Sequence, residues 1–367
     1  MRKICLILGI CVLAFTSCKK EKAEFGQFKK VSKMLYEVTY DTYCENPIGS
    51  FQEFCGDLGC SSVRNGDFHG RNFDYFMNQS STIVVRTTAT KDRYATIGVA
   101  RLAKVNDATI DAGLTDRQRQ ILPWGMADGM NEKGLVVNSN VVAKTDGGAI
   151  PHTGTKPGAP ELNIFIASRA LLDHCATVQE ALQYLENHNL TPFGSSQMNL
   201  HLMISDPTET YVVEIINNAI VAKPQNIMTN YYVNMDVIPN KAMGVERYNI
   251  LAEHYAEGGE SMEGMWNLMK RVRYTDSYIA ENKWYSEYAA NNGINYSDIP
   301  QNIAVLDSIM NKTEAEWMIE KEYVEQNGFR ETTPWWDTTH NSVYDIKNKK
   351  LWVTIHEWYD QIHEFSL

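Results

Sequence analysis

Gly59–Tyr75 reads GCSSVRNGDFHGRNFDY. Asn65-Gly66 stands between two strand-like runs, and both residue types tolerate the positive φ of a type I′ turn, so the stretch is expected to fold as a β-hairpin. With those two as the loop, Arg64 pairs with Asp67, Val63 with Phe68, Ser62 with His69, Ser61 with Gly70 and Cys60 with Arg71. Directly opposed residues carry their Cβ atoms about 5 Å apart on one face. A guanidinium that close favours thiolate over thiol and makes the sulfur a competent nucleophile. Asp74, three residues beyond Arg71, reaches the same end of the hairpin. A lone cysteine more often packs as a small hydrophobe, so the Cys–Arg opposition carries the weight.

Outward from the hairpin, period-two apolar runs at Ser81–Thr87, Tyr94–Leu102, Gly134–Val142, Leu200–Ser205 and Tyr211–Ile216 predict strands. Helical spacing marks Leu162–Asp173, Val178–Glu186, Val245–Ala256 and Ser261–Val272, and an acidic helix is expected over Thr313–Gln326. His340–Asp345 and Lys350–Ile355 predict a second hairpin turning at Lys347-Asn348-Lys349. The strands run consecutively with helices gathered between them, which favours an α+β fold of layered sheets covered by helices over a doubly wound parallel sheet. No repeat or low-complexity tract breaks the chain after residue 60, and one domain is expected there.

The chain has 367 residues, 44% of them apolar, which excludes general disorder. Its 34 Lys+Arg against 45 Asp+Glu give a net charge of −11 and argue against nucleic acid as a partner. Met1-Arg2-Lys3 precedes the apolar run ICLILGICVLAF, too short to span a bilayer and suited to a secretory signal. Thr16-Ser17-Cys18 then resembles a bacterial lipoprotein signal, residues 1–18, with Cys18 as the lipidated residue. The expectation is an exported protein, periplasmic or on the outer cell envelope, touching the membrane only through that anchor. Residues 19–59 then form a pro-segment. Cys44, Cys55, Cys60 and Cys175 remain, at spacings that match no zinc motif, and a Cys44–Cys55 bridge is compatible with an oxidising compartment. His356 and His363 form no HExxH pattern. Neither a metal nor another cofactor is expected.

Cys60 followed by a hairpin returning as Gly70-Arg71-Asn72-Phe73-Asp74-Tyr75 resembles the N-terminal nucleophile cysteine hydrolases of the choloylglycine hydrolase group, which takes in bile salt hydrolases, penicillin V acylases and acid ceramidase-like enzymes. The resemblance implies an αββα sandwich of two mostly antiparallel sheets between helical layers, with residues 60–367 as the catalytic domain. It also implies a precursor that cuts itself so that Cys60 becomes the first residue, its α-amine then acting as general base. An α-amine titrates at about 7.7–8.0, close to working pH. Further segments follow in the family's order. Asp128–Leu135 (DGMNEKGL) resembles its DGxNEKGL turn, and Asn140 matches an oxyanion-hole Asn, with Asn138 two residues earlier as the alternative. His201–Asp206 and Tyr211–Glu214 resemble its central strand pair, Thr229-Asn230 its TN segment with a second oxyanion donor, and Glu246-Arg247-Tyr248 the segment carrying an active-site Arg. The implied catalytic set is Cys60, Arg71, Asp74, Asn140, Asn230 and Arg247. His69, His201 and His340 read as structural.

Two departures from the family pattern stand out. Cys55 lies nearer than Cys60 to the family's usual distance from Arg71. Cys60 is preferred because Gly56-Asp57-Leu58-Gly59 forms strands poorly, and Gly59 admits the strained backbone of self-cleavage. The long block before Cys60 resembles the acid ceramidase side of the group, or self-processing acyltransferases. The expected activity is hydrolysis of linear amide C–N bonds in a small N-acyl amide such as a conjugated bile salt, a penicillin V-like amide or a lipid amide. A self-processing N-acyltransferase is the close alternative. A non-catalytic surface lipoprotein binding an acyl ligand, suggested by 19 Tyr and 8 Trp, is the distant one. A homo-oligomer is left open.

Overall fold

The computed structural model describes residues 24–43, 59–76, 80–102, 105–142, 156–191, 199–216, 219–234, 244–273, 336–355 and 358–367. The signal and Cys18, the Cys44–Cys55 pair, residues 19–23 and 44–58 of the pro-segment and the Thr313–Gln326 helix lie outside them.

Two large sheets form among these residues, beside a two-stranded parallel ladder of Glu161–Asn163 and Asn189–Thr191. The larger has ten strands and runs Glu24–Phe25, Leu35–Thr42, Thr82–Thr87, Thr96–Ala100, Met126–Asn131, Val136–Val142, Asn199–Ser205, Thr210–Ile216 and Ala219–Pro224, with Lys29–Ser32 also pairing on Leu35–Thr42. The smaller has six, in the order Ile227–Met228, Gly59–Asn65, Phe68–Phe76, Trp336–Asp345, Lys350–Ile355 and Trp358–Ser366. Within these two sheets only Leu35–Thr42 and Thr82–Thr87 pair in parallel.

Alternation along the strands produces the layers. Val84, Ile97, Val99 and Met130 of the larger sheet meet Tyr344, Leu351, Val353 and Ile355 of the smaller in one buried cluster, so the sheets pack face to face. The outer face of the larger sheet buries Val85, Val137, Leu202 and Val213 against Phe165, Leu171 and Leu185 of the helices Ile164–His174 and Val178–Glu186. Val63 and Val343 of the smaller sheet pack against Met265, Leu268 and Met269 of the helix Met262–Lys270. The result is the expected α+β sandwich, helices outside two sheets. The helices begin where their caps dictate: Asn163, Thr177 and Ser261 each accept a backbone N–H of the first turn. Among the described residues no helix is long and apolar enough to cross a membrane.

One finding alters the expected organisation. Leu35–Thr42, inside the expected pro-segment, is an interior strand of the larger sheet, and Leu35, Tyr36, Val38, Tyr40 and Tyr43 are buried. Tyr43 Oη donates to Asp173 on the helix Ile164–His174 at 2.7 Å. The segment is part of the core.

Candidate active site

The hairpin that opens the smaller sheet forms as expected, but its register differs by two residues. Asn65 pairs with Phe68, Ser62 with Arg71, Cys60 with Phe73 and Gly59 with Asp74, leaving Gly66-Asp67 as the loop. Gly66 takes the positive φ, 57°, at the first loop position. Asn65 is kept in the strand by tertiary contacts: its Nδ2 donates to Tyr255 O at 2.8 Å, and Gly259 packs against its amide. A two-residue slip preserves the face of every side chain. Arg71 therefore reaches Cys60 diagonally, with Nη2 3.5 Å from Sγ.

The other expected residues gather around the same strand end. The Cys60 N–H donates to Asn230 Oδ1 at 2.8 Å. Arg247, from the helix Val245–Glu253, donates from Nη1 to Cys60 O at 2.7 Å, to Ser61 Oγ at 2.9 Å and to Asp74 Oδ2 at 3.2 Å; its Nη2 bonds Asn230 Oδ1. Asp74 stands across from Gly59 and accepts from Thr338 Oγ1 at 2.6 Å. Cys60, Arg71, Asp74, Asn230 and Arg247 are all fully buried.

Asn140 is held one step away. Its Nδ2 donates to Met228 O and Thr229 O at 3.4 and 3.3 Å, and its Oδ1 accepts from Asn138 Nδ2 and Ser62 Oγ. Asn138 and Asn140 thus share one network: Asn138 Nδ2 also donates to Ser62 Oγ at 2.8 Å, and its Oδ1 accepts from His69 Nε2. Asn230 Nδ2 donates to Val141 O at 2.8 Å, so in the uncut chain this asparagine turns its carbonyl, not its amide N–H, to Cys60.

Sequence reasoning missed the support behind Arg71. Arg71 Nη1 lies 2.8 Å from Asp128 Oδ2 and its Nη2 donates to Ser139 O at 2.6 Å. Asp128 also takes hydrogen bonds from His340 Nε2 at 3.2 Å and from Tyr344 Oη at 2.5 Å. Burial opposes charge on Asp128, yet the His340 bond, the Arg71 guanidinium and Tyr344 hold its carboxyl well below the usual range. The Phe73 ring, opposite Cys60, stacks on His340 at 5.0 Å and lies under the Arg71 guanidinium at 4.9 Å. Asp128 shares the face between the sheets with Met130, and a charge at an inward position of a period-two strand was the available signal. The rest of the DGMNEKGL turn is architectural: Asn131 Nδ2 donates to Leu172 O and Cys175 O, and Gly134 has φ 90° where a Cβ would strike Lys349.

The buried histidines make a pH prediction. Burial pushes His69 down to about 3 and His340 down to about 4, so both stay neutral in the folded chain. Below about pH 6.5 the unfolded chain protonates both and the folded chain neither, so stability falls as pH drops, until the folded rings titrate too. Each ring contributes a slope of about 1.4 kcal/mol per pH unit, so the protein is expected to be about 4 kcal/mol less stable at about pH 5 than at about pH 7. Denaturant midpoints across that range check it; a flat profile would show that these rings are not held neutral.

A buried cysteine at the head of a strand, with arginine at its sulfur and asparagine at its nitrogen in an αββα sandwich, defines the N-terminal nucleophile class of amide hydrolases and acyltransferases. Within that class, the family model of acyl-coenzyme A:6-aminopenicillanic acid acyl-transferase matches residues 62–358, and the chain belongs to that family, part of the penicillin acylase and choloylglycine hydrolase group. Among solved structures, two variants of conjugated bile acid hydrolase from Clostridium perfringens align at 17% and 16% identity with TM-scores of 0.44 and 0.43, each over 84% of this chain and 92% of the other. Penicillin V acylase from Agrobacterium tumefaciens aligns at 16% identity and TM-score 0.40, over 84% of this chain and 86% of that one. No curated protein matches the chain.

Proposed function

We propose that this protein is an exported, self-processing hydrolase of linear amide C–N bonds whose nucleophile is Cys60. The observation that carries the reading is the double engagement of one residue: Sγ at Arg71 Nη2 and the backbone nitrogen at Asn230 Oδ1. In the first step Sγ adds to the Gly59 carbonyl carbon, the Cys60 nitrogen leaves as an amine, and water releases Gly59 as a carboxylate. The freed amine sits where Asn230, backed by Arg247, already accepts its hydrogen. It then takes the thiol proton, and the sulfur adds to the substrate's amide carbonyl. Asn140 and Asn230 are the candidate donors to the resulting oxyanion. The leaving amine takes a proton from the Cys60 α-ammonium, and water hydrolyses the thioester.

The N-terminal signal and the Cys18 lipid anchor belong to the same proposal, supported by the Met1–Lys20 pattern. Substrates are small N-acyl amides. The name of the matching family favours keeping acyl transfer as a second reading, in which an amine replaces water as acceptor. Intact-mass measurement of purified protein is expected to find the new amino terminus at Cys60. A panel of N-acyl amides is expected to be hydrolysed, with all turnover lost on alkylation by iodoacetamide. Folded protein with an intact Gly59–Cys60 bond, or turnover that survives alkylation, overturns the reading. A panel of amine acceptors supplied beside the acyl donor separates the two, since a transferase forms a new amide at the expense of the acid with saturation in the acceptor, and a hydrolase forms the acid alone.

A further inference from the structure

His201 and Glu214 lie on the adjacent strands Asn199–Ser205 and Thr210–Ile216 of the larger sheet, both fully buried. His201 Nε2 lies 2.7 Å from Thr229 O and its Nδ1 3.0 Å from Glu214 Oε1. The Glu214 carboxylate in turn accepts the Val233 N–H at 2.8 Å and the Asn234 N–H at 2.9 Å. These two side chains therefore grip the segment 229–234 at both ends. Asn230 stands immediately after the first grip, with its Oδ1 on the Cys60 nitrogen.

Hydrogen-bond accounting bears on the state of the pair. The Thr229 carbonyl can only accept, and so can a carboxylate already receiving two backbone N–H groups. With Glu214 ionised, both His201 nitrogens donate and the ring is an imidazolium; a neutral ring beside that carboxylate would turn a lone pair against either an oxygen of Glu214 or that of Thr229. Asn140 Nδ2 also donates to Thr229 O, and Thr229 Oγ1 donates to Gly244 O, just before the helix that carries Arg247. The pair thus stands behind the segment linking Asn140, Asn230 and Arg247, without touching Cys60 itself.

We infer that His201 and Glu214 form a buried imidazolium–carboxylate pair that positions Asn230 against the Cys60 nitrogen. They are positioning residues, and the inference rests on the amidase reading above. Losing the charge on Glu214 frees the Val233 end and removes the reason for His201 to keep its second proton, so Asn230 shifts relative to the amine. Displacements of about 1 Å at a reacting group cost on the order of 10²-fold in rate.

Glu214→Gln, which keeps shape and loses charge, is expected to lower kcat about 10- to 100-fold, with KM within about twofold because no substrate contact changes. Cleavage of Gly59–Cys60 is expected to slow alongside. Folded Glu214→Gln protein with unchanged kcat, or with KM moving and kcat constant, overturns the inference. Removing one side of a buried pair is strongly destabilising, so a second measurement is made on the unsubstituted protein. Nitrogen NMR of histidine-labelled material at neutral pH is expected to show both His201 ring nitrogens protonated, and a neutral ring overturns the inference even if the variant does not fold. Absence of thiol-dependent turnover in the unsubstituted protein sinks the amidase reading itself, an outcome distinct from an active parent with an indifferent variant.

Discussion

Replacing Cys60 by Ala is expected to give a folded, uncut chain with no amidase activity. Removing a nucleophile that acts together with its base costs on the order of 10⁶ in kcat. Here sulfur and base belong to one residue, and without the sulfur the amine is never released. The substitution deletes one buried sulfur atom from the small cluster of Cys60, Phe73 and Ala127, an effect on the order of 1–2 kcal/mol, small beside the 5–15 kcal/mol typical of a domain. Arg71→Ala is a poorer probe, since it strands the Asp128 carboxylate in the interior and costs about 3–5 kcal/mol. Intact mass and thermal unfolding of Cys60→Ala separate chemistry from folding. A cut chain, or residual thiol-independent turnover, would falsify the assignment of the nucleophile. Cys55→Ala serves as the comparison: cleavage at Gly59–Cys60 is expected to be unchanged.

The contacts around Cys60 were legible to the degree that they are local. Asn65-Gly66 and the flanking runs identify the hairpin, and face parity brings Arg71 to the sulfur even though the register is displaced. The displacement itself was not readable, because it depends on Asn65 meeting Tyr255 and Gly259, which lie 190 residues and more along the chain. Val178–Glu186 forms over the residues its spacing predicts, with Thr177 as its cap. Val245–Ala256 instead ends as a helix at Glu253 and tightens into a short 3₁₀ turn over Tyr255–Gly259. Thr229-Asn230 and Arg247 meet Cys60 because the resemblance placed them in the family's order; nothing in their own sequence neighbourhood requires it. The polar support of Arg71 was hidden for the same physical reason. Asp128 and His340 are 212 residues apart and face each other across two sheets, and no local pattern records such a pairing. Tyr36, Val38 and Tyr40 do alternate visibly, and the segment expected to be cut from Cys60 contains a strand whose pattern is as clear as any other in the chain.

That strand sets the second large effect. A chain begun at Cys60, lacking residues 24–43, is expected not to fold. It would forgo the burial of Leu35, Tyr36, Val38, Tyr40 and Tyr43. At about 1.5–3 kcal/mol for each large apolar side chain that loss is about 7–15 kcal/mol, as large as the whole stability of an ordinary domain. Thr82–Thr87, whose far edge now pairs with Leu35–Thr42, would present an open parallel ladder and its buried valines to solvent, an aggregation edge. Self-cleavage carries no such penalty. Leu35–Thr42 belongs to the larger sheet and Gly59–Asn65 to the smaller, so a cut at Gly59–Cys60 severs the connection between two sheets while leaving every rung of the Leu35–Thr42 ladder in place. Processed protein is therefore expected to run as one species under native conditions and as two in denaturant, with residues 24–43 in the smaller piece. A soluble, thermally stable chain starting at Cys60 would show instead that the strand is dispensable, and the parallel pairing would then have to be a feature of the precursor alone.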